Sequence, residues 1–141
     1  MSATSLAVLA RTSDPHTALR RFLALDALVT GANGLAYLIA SAPLGRLLGV
    51  RAGLLTALGA FLALYAAAVG LLASRARPAA PAVRAVIEAN LAWAVLSLVA
   101  LALWLSPTTA GAVWTVLQAV TVAAFAALQH IGLKHTQDSR V

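Results

Sequence analysis

The chain has 141 residues, of which 62% are hydrophobic and only 10% are charged, and its formal net charge is +6. Soluble domains carry about 25% charged residues, so this composition excludes a water-soluble surface and predicts that lipid surrounds most of the chain. The sequence has no cysteine, which excludes disulfides and thiolate catalysis. Most of its basic residues flank apolar stretches, where anionic lipid headgroups account for them. We therefore expect membrane lipids as partners and no nucleic acid.

The first apolar stretch predicts a transmembrane helix over about 15-42. Asp14 is a natural N-cap and Pro15 suits the first helical position. Pro43 disfavours helical geometry in the residue before it, so it predicts the helix end at Ala42. The connection that follows, Pro43–Ala52, predicts a short turn of helix at the membrane interface.

Three further apolar stretches predict helices over about 53-74, 83-105 and 108-134. Each is long enough to cross a bilayer, which takes about 20 residues. We therefore predict an all-α membrane protein with a single membrane domain over 1-141. Its fold is a four-transmembrane-helix bundle of up-down-up-down topology with tails at 1-14 and 135-141.

The orientation of the bundle follows from the basic residues next to the spans, because Lys and Arg concentrate on the cytoplasmic side. Arg46 and Arg51 lie on one side, whereas eight basic residues lie on the other: Arg11, Arg20, Arg21, Arg75, Arg77, Arg84, Lys134 and Arg140. Both tails are therefore predicted to be cytoplasmic. The bias towards Ala, Leu and Arg suits a high-GC bacterial genome, so we expect the bacterial inner membrane.

The sequence contains a weak internal repeat. A shift of 64 residues superposes Arg20 on Arg84, Asp26 on Asn90, Pro43 on Pro107, Phe61 on Phe125 and Leu64 on Leu128. Parallel repeats of two helices occur in membrane proteins, but chance matches in Ala- and Leu-rich sequence give the same pattern. Both explanations stay open.

Polar residues within the spans are the main indication of function, because such residues usually face the bundle interior or a wet cavity. On the first helix Asp26, Thr30, Asn33 and Tyr37 share one face. The third helix carries a stripe with Asn90, Trp93 and Ser97, and the fourth carries one with Trp114, Gln118 and Thr121. The second helix instead has a small-residue ridge, Gly59, Ala63 and Ala67, of the kind that lets helices pack closely.

These stripes predict a pocket bounded by the first, third and fourth helices. Its predicted ligand-binding residues are Asp26, Asn33, Tyr37, Asn90, Trp93 and Gln118, with Asp26 and Asn90 gating the cytoplasmic end. Aromatic walls with a few polar groups are typical of ligand sites. The alternative for the residues near the cytoplasmic boundary is a structural role, as an Asp26–Arg84 or Glu88–His130 pair that joins helices.

Enzyme signatures are lacking: the sequence has no HExxH, GxSxG or Walker motif. His130 is a lone histidine without a second axial ligand at its depth, so we expect no haem, no other cofactor and no bound metal. We predict no catalytic residues, and a non-enzymatic protein is favoured over an enzyme.

Two segments, LDALVTGANGLAYLIASAPLGRLLGV at Leu25–Val50 and LWLSPTTAGAVWTVLQAVTVAAFAALQ at Leu103–Gln129, resemble a group of small bacterial integral membrane proteins. They cover about two-fifths of the chain. The members of that group have no characterised function, so the resemblance implies four transmembrane helices and no particular activity.

Three hypotheses for function follow. The leading one is a non-enzymatic binder or carrier of a small amphipathic or lipid-like molecule within the helix bundle. The second is a proton- or cation-coupled small exporter that uses Asp26, by analogy with small four-helix exporters that carry a carboxylate in the first helix. The third is an accessory or assembly subunit of a larger membrane complex. As protein partners we expect either a homo-oligomer or such a complex.

Overall fold

The computed structural model describes residues 14–141, so the predicted N-terminal tail before Asp14 lies outside the described part. That part is all-helical, with α1 Pro15–Ile39, α2 Ser41–Leu48, α3 Ala52–Ser74, α4 Ala80–Leu103 and α5 Thr109–Asp138. Four of these helices, all but α2, are long and apolar enough to cross a membrane. The chain is therefore a multi-pass membrane protein, and the predicted all-α four-helix bundle is confirmed.

The helix ends follow local sequence signals, but several differ from the predicted bounds, and α4 begins at Ala80 rather than at 83. α1 ends at Ile39, short of the predicted Ala42, because the chain turns at Ala40 and begins α2. Pro43 falls in the first turn of α2, where a missing amide proton leaves no helical hydrogen bond unmade. At the other end of the chain, α5 continues to Asp138 through most of the predicted tail 135-141.

The four long helices do not pack equally. α1 packs along α3 and α4 packs along α5, while α1 and α5 join the two pairs, and α3 hardly touches α4. The end of the bundle that holds the start of α1 and the end of α5 is called the base here, and the end that carries α2 is called the top. The interface between α3 and α4 is therefore the least extensive in the bundle, and we call it the seam between α3 and α4.

The small-residue ridge predicted on the second transmembrane helix lies on α3 and packs inside the bundle. A Cβ atom on Gly59 would lie 2.8 Å from the carbonyl oxygen of Gly34, and one on Gly34 would lie 2.9 Å from the amide nitrogen of Ala63. The backbones of α1 and α3 are therefore in direct contact. The ridge is consequently not a free surface for a partner, since of its three residues only Ala67 is exposed.

The base and the top differ in how much apolar side chain they bury. A cluster at the base includes Leu19, Leu23, Val69, Val83 and Leu133, whereas the cluster at the top consists of Tyr37, Leu55 and Leu62. Because lipid is as apolar as these side chains, they stabilise the bundle through close packing. A backbone contact also joins elements at the top, since the amide of Thr108 donates to the carbonyl of Leu48 at 3.1 Å.

The 64-residue repeat has a counterpart in the fold. The C-terminal ends of α1 and α4 lie 64 residues apart, and so do the C-terminal ends of α3 and α5. Buried positions correspond in the same way, with Leu19 matched by Val83 and Leu23 by Ile87. The bundle is therefore built from two similar helix pairs. The pairing is uneven, because α1 packs on α5 while the corresponding helices, α4 and α3, remain apart.

Candidate functional site

A buried polar cluster lies in the half of the bundle nearer the base. We call it the Asp26 cluster, and it consists of Asp26, Thr30, Tyr65, Asn90 and Gln129. Asp26 and Gln129 are completely buried and Asn90 is 3% exposed. The side-chain hydrogen bonds that Asp26 accepts come from three neutral groups, the Thr30 hydroxyl at 3.0 Å, Asn90 Nδ2 at 2.8 Å and Gln129 Nε2 at 2.7 Å.

The Asp26 cluster is closed, because its members satisfy one another. Asn90 Nδ2 also donates to Gln129 Oε1 at 3.2 Å, which uses both of its protons. Asn90 Oδ1 in turn accepts the Tyr65 hydroxyl proton at 3.0 Å. A buried polar network of this kind stabilises one arrangement of helices, since separating the helices would leave its groups unpaired. The Asp26 cluster therefore joins helices to one another.

The cluster also follows the internal repeat. Asp26 and Asn90 are repeat partners, and they are hydrogen-bonded to each other. Gln129 donates to Asp26, and its repeat partner Tyr65 donates to Asn90. Tyr65 is the longer side chain and spans the wider gap between α3 and α4. On the other side Gly132 lets α5 approach α1 closely, with its Cβ position 3.3 Å from Leu19 Cα.

A second polar cluster lies nearer the top. We call it the Gln118 cluster, and it consists of Asn33, Tyr37, Trp114 and Gln118. Asn33 is two turns after Asp26 on α1, about 10 Å along the helix axis. Trp114 Nε1 donates to the Tyr37 hydroxyl at 2.7 Å. Gln118 Oε1 accepts from that hydroxyl at 3.2 Å and from Asn33 Nδ2 at 3.1 Å.

The orientation of the two amides follows from the indole of Trp114, which can only donate. The Tyr37 hydroxyl must accept from it and therefore gives its own proton to Gln118, whose facing atom must be the oxygen. Within the described residues this leaves Gln118 Nε2 without a hydrogen-bond partner, and Asn33 Oδ1 likewise. The Gln118 cluster therefore retains an unused donor and an unused acceptor.

A cavity of about 680 Å³ lies beside these unused groups, within the range of about 300–1,000 Å³ that is typical of ligand pockets. Its polar lining residues are Thr30, Asn33, Tyr65, Asn90, Trp93, Trp114, Gln118 and Thr121, and its apolar walls include Val29, Phe61, Leu62, Leu96, Leu117 and Val122. The cavity opens through the side of the bundle, because Phe61, Leu96 and Leu117 are more than half exposed. In a membrane, that opening faces lipid.

Aromatic rings cross the seam between α3 and α4. Phe61 stacks on Trp93 with ring centroids 5.7 Å apart, and on Tyr65 at 6.2 Å. Stacked aromatic pairs contribute about 0.5–1.5 kcal/mol beyond the area that they bury. These rings form a flat apolar wall of the cavity in the seam that few other contacts hold.

The structure brings four of the six predicted ligand-binding residues to the cavity wall: Asn33, Asn90, Trp93 and Gln118. Asp26 and Tyr37 do not line it, but each is hydrogen-bonded to a residue that does. The predicted pocket was bounded by the first, third and fourth transmembrane helices, which are α1, α4 and α5. That prediction is wrong, because the second transmembrane helix, α3, also lines the cavity with Phe61, Leu62 and Tyr65. The sequence alone could have indicated Tyr65 as a site residue, since it is the only tyrosine besides Tyr37.

The alternative pairs near the base, Asp26–Arg84 and Glu88–His130, are not formed in the part of the chain that the structure describes. Asp26 is hydrogen-bonded to neutral side chains rather than to Arg84, which is exposed. Glu88 and His130 are also exposed and lie outside the Asp26 cluster. Residues 14–141 contain no group of three His, Cys, Asp or Glu side chains that could hold a metal ion.

Compared with known proteins, the chain matches no family, no curated protein and no solved structure. The resemblance to small bacterial membrane proteins therefore stays a prediction.

Proposed function

We propose that the chain is a non-enzymatic membrane protein that binds or carries a small amphipathic or lipid-like molecule in the cavity of its helix bundle. The proposed location is the bacterial inner membrane, with the base and both termini on the cytoplasmic side. The observation that carries the proposal is the cavity, because it combines apolar and aromatic walls, an opening towards lipid and unused amide groups at Asn33 and Gln118.

The position of Asp26 favours binding over coupled export. An exporter that works through this carboxylate would bring it into contact with the transported molecule or its counter-ion. Asp26 is completely buried and separated from the cavity by Asn90 and Thr30, which line it. The hydrogen bonds that hold the carboxylate suit attachment between helices α1, α4 and α5.

The position of the small-residue ridge disfavours the accessory-subunit hypothesis in its simplest form. Gly59 and Ala63 are already packed on α1, so a partner could not use them without displacing that helix. A ligand in the cavity requires no such rearrangement, since the cavity is open in the isolated chain.

Filling the cavity tests the proposal. We suggest incubating the purified protein with single-chain amphiphiles and recording bound molecules by native mass spectrometry. Ala92→Phe places a ring in the cavity, whereas Ala57→Phe adds the same ring to an exposed position on α3 that does not line it. We expect the Ala57→Phe protein to retain an amphiphile and the Ala92→Phe protein to lose it. Equal retention in the two variants, or no retention by the unmodified protein, would contradict the proposal.

A further inference from the structure

The hydrogen-bonding groups that face the cavity are not equally occupied. The protons of Thr30, Trp114 and Thr121 are all donated within the protein, and so are both protons of Asn90 Nδ2. Gln118 Nε2 is different, because neither of its protons has a partner among the described residues. The free acceptor Asn33 Oδ1 belongs to the amide that is hydrogen-bonded to Gln118.

From this arrangement we infer that the cavity selects amphiphiles with a neutral head group that both accepts and donates a hydrogen bond, namely a hydroxyl or a carboxamide. The inference rests on the proposed function and specifies its ligand. The head group oxygen accepts from Gln118 Nε2, and its proton is donated to Asn33 Oδ1. An ester or ether head group satisfies only the first of these bonds and leaves Asn33 unpaired.

Charged head groups are excluded by the lining. Among residues 14–141, no Asp, Glu, Lys or Arg side chain lines the cavity. Removing an ion from water without a counter-charge is far more unfavourable than removing a hydroxyl or an amide. Asp26 does not alter this argument, because Asn90, Thr30 and Gln129 already occupy its carboxylate oxygens.

The apolar lining accounts for the rest of the ligand. Beyond the Gln118 cluster the walls are Leu96, Leu117, Val122 and the stacked rings of Phe61 and Trp93. A single alkyl or isoprenoid chain that starts at Gln118 can run along these side chains and leave through the exposed side into the bilayer. The ligand therefore reaches its site from the membrane rather than from water.

A head-group series at constant chain length tests the inference. The protein in phosphatidylcholine nanodiscs is titrated with hexadecanol, hexadecanamide, methyl palmitate and hexadecyltrimethylammonium, and tryptophan fluorescence is recorded because Trp93 and Trp114 line the cavity. We expect the alcohol and the amide to bind up to about tenfold more tightly than the ester, as the one additional hydrogen bond to Asn33 predicts. The ammonium compound should bind most weakly.

Variants then locate the selectivity. Asn33→Leu should bring the alcohol to the affinity of the ester while leaving the affinity for the ester unchanged. Gln118→Leu should weaken the binding of both compounds, because both accept from Gln118 Nε2. Gln137→Leu removes an exposed amide of α5 far from the cavity and should preserve the full preference. If all four compounds bind equally, if Asn33→Leu retains the preference for the alcohol, or if Gln118→Leu leaves the affinity for the alcohol unchanged, the head-group inference is wrong while the binding function stands. If none of the four binds, the proposed function fails with it.

Discussion

The two polar clusters of this bundle are built from similar side chains and differ in what remains unused. The Asp26 cluster reaches the cavity wall through Thr30, Tyr65 and Asn90, but both of its amide nitrogens donate to other members of the cluster. The Gln118 cluster borders a cavity and leaves one amide nitrogen and one amide oxygen unpaired within the described residues. Only the second cluster offers hydrogen bonds to another molecule.

This difference separates two roles that polar residues have within membranes. A closed network joins helices, and each of its bonds contributes to stability because the alternative is an unpaired group. An open network contributes less to stability and is available for recognition. The account therefore predicts that substitutions in the Asp26 cluster change stability, while substitutions in the Gln118 cluster change binding.

The largest loss of stability is expected for Gln129→Leu. The substitution removes the donor at 2.7 Å from Asp26 and the acceptor of Asn90, and it leaves both groups buried without these bonds. Unpaired buried groups cost about 1–3 kcal/mol each, so we expect a loss of about 3 kcal/mol in the free energy of unfolding, measured by denaturation in mixed micelles. Gln137→Leu on the same helix is the control, since it is exposed. Equal stability of the two variants would show that the Asp26 cluster does not hold the bundle together.

A smaller loss is expected for Gly59→Ala, which acts on the other cluster through packing. The new methyl group would lie 2.8 Å from the Gly34 carbonyl oxygen and 2.9 Å from Tyr37 Cβ. Displacing α1 and Tyr37 should lower stability by about 1–3 kcal/mol and should also weaken ligand binding by moving the hydroxyl that orients Gln118. Gly53→Ala is the matched control, because nothing lies within 4 Å of its added Cβ. Unchanged melting of the Gly59→Ala protein would contradict the close contact of α1 and α3.

Tyr65→Phe should have a still smaller effect and tests the repeat within the Asp26 cluster. The change removes the hydroxyl that donates to Asn90 and keeps the ring stacked on Phe61. We expect a loss of about 1 kcal/mol, less than for Gln129→Leu, because Tyr65 makes one hydrogen bond to the cluster where Gln129 makes two. A loss larger than that of Gln129→Leu would mean that the seam between α3 and α4 is the stronger one.

The loss of stability expected for Gln118→Leu is about the same as that for Tyr65→Phe, although it removes two hydrogen bonds rather than one. It removes the acceptor of two bonds at 3.1 and 3.2 Å, both in the partly buried cluster. Interhelical hydrogen bonds in membranes average about 0.6 kcal/mol, so thermal melting should show a loss of about 1 kcal/mol. A loss as large as that of Gln129→Leu would remove the distinction between the clusters.

Much of the fold was predictable because the signals are local. Asp14 and Pro15 begin α1 as their capping properties predict, and the spans follow from runs of apolar residues. The predicted end at Ala42 failed because Pro43 does not end α1 but lies in the first turn of the next helix, α2, where its missing amide proton is tolerated. That distinction depends on the turn at Ala40, which no single residue specifies.

The candidate site was predictable in part. Helical spacing placed Asn33 and Tyr37 on one face, and matching depths placed Asp26, Asn90 and Gln129 at one level. Which hydrogen-bonding groups remain unpaired was not predictable, because it depends on the hydrogen bond that the Trp114 indole on α5 donates to Tyr37 on α1. The contribution of α3 was missed because Phe61 and Tyr65 lie outside the small-residue ridge that dominates its sequence.

The most direct test of the central claim is to measure stability and hexadecanol affinity on the same two proteins, Gln129→Leu and Gln118→Leu, in the same nanodiscs. The account predicts opposite results. Gln129→Leu should unfold more easily and bind hexadecanol within about twofold of the unmodified protein, since Gln129 does not line the cavity. Gln118→Leu should stay nearly as stable and lose about tenfold in affinity. Parallel losses of stability and affinity in both proteins would contradict the division of roles between the two clusters.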